Sequence, residues 1–243
     1  MISHRLVIDT SIFGAAVGVA ATDSSDLEHL EMSDTVADSA RQLPDLVAKC
    51  LAKIGISFAS ISDILVSRGP GSFTGIRVGL AYAFGLKSGL VGGPTKPRLT
   101  GISSLQLLAE SQARGSSIPV GVFLPSTKTL GYMALSGVDR FQLEAVDLDH
   151  LSDSSLRWLH GAQNARMVSI GPWDVLQRAL VLAASRPVEI LAPKTAAESA
   201  IKEMVRRATT LSDLDWDARE LSPLYLRRST VEEKALLGVT QQR

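Results

Sequence analysis

The sequence predicts an α/β protein, a sheet with helices on its faces, and three observations carry that prediction. Short apolar runs that read as buried strands alternate with stretches whose apolar residues recur at steps of three and four. Glycine and proline mark most of the junctions between them. The chain has 243 residues, 45% hydrophobic and 21% charged, enough to bury a real core with room for one large or two small domains.

Leu6-Val7-Ile8 followed by Asp9-Thr10-Ser11 reads as a buried strand ending in a polar turn, and Ala15 to Ala20 as the strand returning beside it. Leu27 to Met32 adds a third strand, interrupted by Glu28 and His29. A helical stripe follows, with Val36, Ala40, Leu43, Val47, Cys50 and Ile54 at steps of four and three. Pro44 lies inside it and predicts a kink or break, because it removes one hydrogen bond and clashes with the preceding turn at about 3 kcal/mol. Gly55 closes the helix, and Ile61 to Ser67 supplies the next strand. Hairpin strands, helix, strand, helix is an order that fits one ribonuclease-H-like lobe.

The segment from Val66 to Leu80, Val-Ser-Arg-Gly-Pro-Gly-Ser-Phe-Thr-Gly-Ile-Arg-Val-Gly-Leu, concentrates the backbone demands of the chain. A strand runs into the sharp turn Arg68-Gly69-Pro70-Gly71, after which Ser72 and Thr74 both qualify as N-caps for a helix from about Thr74 to Leu90. Gly75, Gly79 and Ala83 share one line of that helix and leave it nearly bare. Glycine in a helix costs about 1 kcal/mol against alanine, so something packs close there. A helix–helix contact, a nucleotide lying on the turn and a tightly packed core helix all meet the requirement. A glycine-rich turn before a helix can also cradle phosphate. This one is no P-loop, since no lysine follows Gly75, and no G-x-G-x-x-G is present.

Gly92-Gly93-Pro94-Thr95-Lys96-Pro97 is the clearest loop, followed by a short strand or turn from Leu99 to Ile102. Ser103 or Ser104 caps a helix over about Leu105 to Gln112. A second set of strands spans Val120 to Leu124, Leu130 to Ser136 and Phe141 to Val146, with turns at Pro125-Ser126-Thr127 and Gly137-Val138-Asp139. Ala165 to Ile170 is a further strand ended by Gly171-Pro172, and Trp173 to Ala184 a helix. Val188 to Leu191 and a helix near Thr195 to Ala208 complete a second, smaller lobe. The expected division is 1–102, 103–228 and a polar flexible tail at 229–243.

Lysine plus arginine and aspartate plus glutamate each number 25, so the chain alone should hold RNA poorly. The single cysteine, Cys50, excludes an internal disulfide and reads as buried packing. With no signal-like N-terminus and no apolar run approaching 18 residues, a cytoplasmic protein is expected. None of His4, His29, His150 and His160 stands at four-residue spacing, and H-E-x-x-H is absent, so no metal site is expected. Gly-x-Ser-x-Gly is absent too, which argues against a serine hydrolase. Asp9-Thr10-Ser11 is compatible with a carboxylate placed near Mg²⁺ and hydroxyls near phosphate, but with no second acidic residue assigned to a metal it reads first as an ordinary turn closed by its own side chains.

Gly69 to Leu80 resembles without a gap the signature of the bacterial TsaB family, also called YeaZ. Leu6-Val7-Ile8-Asp9-Thr10-Ser11 is similar to that family's opening strand, Ser103-Ser104-Leu105 to its segment after the next strand, and Pro223-Leu224-Tyr225-Leu226-Arg227 to its C-terminal motif. The resemblance implies an actin-like (ASKHA) fold of two ribonuclease-H-like lobes and a supporting, non-catalytic role in tRNA modification. In that role a TsaD-like catalytic paralogue and a TsaE-like ATPase are partners, self-association is an option, and tRNA is met only through the complex. The assembly transfers a threonylcarbamoyl group to N6 of the adenosine 3′ of the anticodon, in tRNAs reading codons that begin with A.

The resemblance also implies a partner interface on the N-terminal lobe's helices, at Val36, Ala40, Leu43, Val47, Gly75, Ile76, Gly79 and Ala83, so that Gly79→Leu should block pairing and leave the monomer folded. Asp9, Thr10, Ser11, Gly69, Gly71 and Ser72 form the turn nearest any nucleotide; no cofactor is expected otherwise, with a nucleotide at the subunit junction left open. The chain departs from the family on the second lobe's first hairpin, where members carry Asp-Ala-Arg, then Glu and Tyr, and only Tyr132 survives here. The family's histidine before the proline-containing helix is also missing, with Asp38 or Ser39 in that region. Two rivals remain: an independent ATP-dependent kinase of the same fold, using Asp9 and the Gly69–Gly75 turn, and a glycopeptidase, which the histidine census opposes.

Overall fold

The computed structural model describes residues 3–36, 39–89, 96–136, 142–147, 164–172, 174, 188–212, 215–216 and 221–226. His150, His160, the Gly137-Val138-Asp139 turn, most of the Gly92–Pro97 loop and of the Trp173–Ala184 helix, Asp38, Arg227 and the tail lie outside them.

Strands β1 (His4–Asp9), β2 (Ala16–Ala21), β3 (His29–Met32), β4 (Ile61–Ser67) and β5 (Arg98–Ile102) form one sheet in the order β3-β2-β1-β4-β5. Strands β6 (Val120–Pro125), β7 (Leu130–Ser136), β8 (Gln142–Asp147), β9 (Arg166–Ile170) and β10 (Glu189–Leu191) form the other, in the order β10-β9-β6-β7-β8. Each sheet is an antiparallel three-strand meander with two parallel strands added on the far side of its first strand. The chain therefore repeats one ribonuclease-H-like topology twice, which is the actin-like architecture expected from its signature.

Helices α1 (Ser39–Lys53) and α2 (Phe73–Gly89) cover the outer face of the first sheet. Alternation along the strands builds the core between them: Leu6 and Ile8 of β1, Val17 and Val19 of β2 and Ile64 and Val66 of β4 pack with Leu43, Val47, Cys50, Ile76 and Leu80. The helix α1 runs through Pro44 as one element. Pro44 leaves the Ala40 carbonyl without its helical donor, but the loss does not split the element, whose Leu43, Val47 and Cys50 are packed in the core. Gly55, at φ +69°, ends the helix while the Ile56 amide donates to the Leu51 carbonyl at 3.1 Å. Cys50 is buried, and burial pushes its thiol up to about 12, which suits a packing role.

Between the sheets lie α3 (Ser104–Ala113) and α4 (Pro193–Ala208), and they are exchanged between the lobes. The helix α3 follows the first sheet yet packs on β6 and β7, while α4 follows the second sheet yet packs on β1 and β2. Small residues on the inner face of β2 make this approach feasible: a Cβ on Gly18 would meet Ile201 of α4 at 2.7 Å and Val7 at 2.8 Å. Val7, Ala16, Ala20 and Leu65 thus share one core with Leu105, Leu108, Val122, Val168, Ala197, Ile201 and Val205. Arg114 at the end of α3 pairs with Glu203, buried on α4. The sequence gives helix 195–208 to the second lobe, whereas it also roofs the inner face of the first.

Candidate functional site

The turn after β1 and the signature turn before α2 interlock at the C-terminal ends of β1 and β4. Asp9, the last residue of β1, is fully buried. The Ser11 hydroxyl donates to its Oδ1 at 2.6 Å and the Ile12 amide to its Oδ2 at 3.3 Å. While Asp9 is ionised the Ser11 proton is committed to it, and the 2.6 Å contact between Ser11 Oγ and Ser104 Oγ is then donated by Ser104, the first residue of α3. Burial raises the Asp9 carboxyl above its ordinary range, and the Ser11, Ile12 and nearby Ser67 groups pull partly against it. The Ser67 hydroxyl faces this cluster without a hydrogen bond of good geometry.

The signature turn fits against that cluster with no space for a side chain. A Cβ on Gly71 would overlap the Ser11 carbonyl, which accepts from the Ser72 amide at 2.8 Å. Ser72 caps α2, its hydroxyl accepting from the Gly75 amide at 3.1 Å, and Thr74 falls inside the first turn. Gly69, at φ +95°, gives its carbonyl to the Ser104 amide at 2.9 Å, joining the start of α3 to the same turn. Three amides of this corner, those of Ser72, Gly75 and Ser104, are thus already engaged within the chain.

The close approach that the glycine line demands comes from this chain's own Thr10. Its hydroxyl donates to the Gly75 carbonyl at 2.7 Å; a Cβ on Gly75 would collide with the Thr10 carbonyl, and one on Gly79 with the Thr10 hydroxyl. Ala83 and Ile76 are buried on the same side, and Leu43 and Val47 are buried under α1. Gly75, Ile76, Gly79, Ala83, Leu43 and Val47 therefore face the interior and not a partner, because the sheet and the β1 turn already occupy that face. Val36 is 60% exposed, and the side chain of Ala40 lies outside the described ones.

What α2 presents outward is a different line: Phe73, Arg77, Ala81, Phe84 and Gly85, all exposed, with open space where a Gly85 Cβ would stand. Phe73 and Tyr225 stack at 5.1 Å between ring centroids, the Arg77 guanidinium lies 3.9 Å over Phe73, and Arg77 Nε donates to the Tyr225 hydroxyl at 2.9 Å. Sequence reasoning missed this group. Its signal was present, since Phe73 and Arg77 sit four apart in the signature and Tyr225 in the C-terminal motif, but nothing local says that the two motifs touch.

Among the described residues no three His, Cys, Asp or Glu side chains group as metal ligands would, and His4 and His29 stand beside Glu28 and Glu31 at 3.7 and 2.8 Å. Among them, too, no helix is long and apolar enough to cross a membrane.

Comparison with known proteins is decided by the signature half of the chain. The family model described as TsaD: tRNA N6-adenosine threonylcarbamoyltransferase matches residues 34–160, just over half of the sequence. The chain belongs to this family. The tRNA threonylcarbamoyladenosine biosynthesis protein TsaB of Escherichia coli K12 is 30% identical over 109 residues, 45% of this chain and 44% of that protein. The TsaB of Buchnera aphidicola is 35% identical over 65 residues, 27% of this chain and 28% of its own. The alignments thus span less than half of these relatives. The YeaZ structure from Pseudomonas aeruginosa is similar at a TM-score of 0.64 and 18% identity, covering 93% of this chain and all of that one, a likeness of fold.

Proposed function

We propose that the chain is a supporting, non-catalytic subunit of the assembly that places a threonylcarbamoyl group on N6 of the adenosine 3′ of the anticodon, docking a TsaD-type catalytic paralogue through the outward face of α2. One observation carries the reading: Phe73, Ala81, Phe84 and Gly85 line an exposed helix face whose opposite side is fixed to the sheet by Gly75 and Gly79. Among the described residues nothing lies within 4 Å of where a Gly85 Cβ would stand, although glycine in mid-helix is destabilising by about 1 kcal/mol, and a helix crossing there would explain it. In this reading a second copy occupies the same face when the paralogue is absent, a TsaE-type ATPase joins the paralogue, tRNA is met only in the complex, and the chain works in the cytoplasm. The kinase alternative has less support, because the Ser72, Gly75 and Ser104 amides beside Asp9 are bonded to Ser11, Ser72 and Gly69.

Co-expression with the TsaD-type protein of the same organism tests the proposal. The two should co-purify, and Gly85→Leu should weaken pairing by about tenfold or more with the melting temperature level or raised, since the helix loses a glycine. Undiminished pairing by Gly85→Leu, or rapid ATP turnover by the isolated chain, would reject it.

A further inference from the structure

Two glycines that play no part in the α2 face mark the path of a short C-terminal segment across the first sheet. A Cβ on Gly101 of β5 would stand 2.7 Å from Leu221, and one on Gly69 would stand 3.2 Å from the Leu224 carbonyl. The Leu224 amide donates to the Arg68 carbonyl at 2.6 Å, tying the segment to the signature turn. Upstream, Thr100 donates to the Asp215 carbonyl at 2.7 Å, and Arg98, itself paired with buried Asp63 at 2.8 Å, lies 4.5 Å over the Trp216 ring. The segment delivers Tyr225 to Phe73 and Arg77, where the two stacked rings remain 42% and 38% exposed.

We infer that residues 221–226 are a strap that completes the docking face, with Tyr225 as a contact residue for the partner, so that seating of the strap and docking of the TsaD-type paralogue favour each other. This rests on the docking face proposed above. Leu221, Leu224 and Leu226 are only partly buried, so the strap can leave while the core of the first lobe stays formed. When it leaves, Arg77 loses the Tyr225 acceptor that orients it, and Phe73 loses its stacking partner. Linkage then runs both ways: whatever unseats the strap weakens the partner, and the partner slows release of the strap.

The test uses the full chain with its co-expressed TsaD-type protein. Gly101→Val, a change in β5 and not on α2, pushes Leu221 away; Tyr225→Ala leaves the sheet untouched and stands beside it as a second variant. Both should bind the paralogue about tenfold more weakly; Tyr225→Ala should do so without a fall in melting temperature, and Gly101→Val while the protein stays folded. In the parent protein, hydrogen exchange at the 221–226 amides should slow when the paralogue binds. Phe84→Ala, on the face but away from these strap contacts, separates the two ideas. Weakening by Phe84→Ala alone, with both strap variants binding as the parent does, would overturn the strap and keep the docking face. No effect from any of the three would overturn both.

Discussion

The first hairpin turn of each sheet occupies the same place in the same topology, yet the two turns are built in opposite ways. After β1, Thr10 and Ser11 are buried, and their side chains bond to the start of α2, to Asp9 and to Ser104 at the start of α3. After β6, Ser126, Thr127 and Lys128 are exposed, and the turn closes on itself: the Ser126 and Thr127 amides both donate to the Leu130 carbonyl, at 2.8 and 2.9 Å. Strand order therefore does not decide how tightly a turn is held. In the first lobe a helix lies on the turn, and Gly75 and Gly79 are what allow Thr10 that close.

The largest way to break this contrast is Gly79→Leu. Its side chain collides with the Thr10 hydroxyl, and unfolding in urea should show a loss of about 3 kcal/mol or more, whereas Ser126→Leu on the open turn should stay within about 0.5 kcal/mol. A folded, fully stable Gly79→Leu protein would restore the glycine line as a surface. Thr10→Val is the intermediate case: it keeps the shape and removes the 2.7 Å bond to the Gly75 carbonyl, so the same titration should read a loss of about 1–2 kcal/mol.

The smallest effect is a slope. Burial holds the Asp9 carboxyl above its usual 3.8, so the native state keeps a proton that the unfolded chain has released. Its contribution to stability is greatest below the unfolded value, is lost as pH rises through the raised native value, and is level above that. Asp9→Asn removes the titration. Unfolding free energies compared from about pH 4 upward should drift against the parent relative to the variant, and a flat difference would show that Asp9 does not titrate on its own.

Much of the fold is written locally. Ile61–Ser67 and Leu130–Ser136 fall where the apolar runs place them, because each run is bounded by turn residues that leave little choice. Pro44 does not break its helix, because one lost backbone bond is outweighed by the packing of Leu43, Val47 and Cys50 on either side of it. The four-residue spacing of Gly75, Gly79 and Ala83 correctly requires a close neighbour, but spacing cannot say which molecule supplies it, and Thr10 is 65 residues away from Gly75. The Arg77–Tyr225 bond spans 148 residues, so the grouping of Phe73, Arg77 and Tyr225 becomes visible only in three dimensions.

The exchange of α3 and α4 has a bearing on how the chain is made. Val7, Ala16 and Ala20 find their cover in residues 193–208, so these strands stay half-clad while the whole second sheet is still being synthesised. At ribosomal elongation speeds that interval is roughly 10–40 s, long enough for sticky, unroofed strands to meet other nascent chains. The newborn polypeptide thus has a built-in need for shelter during translation, set by the order of its segments and independent of how stable the finished molecule is.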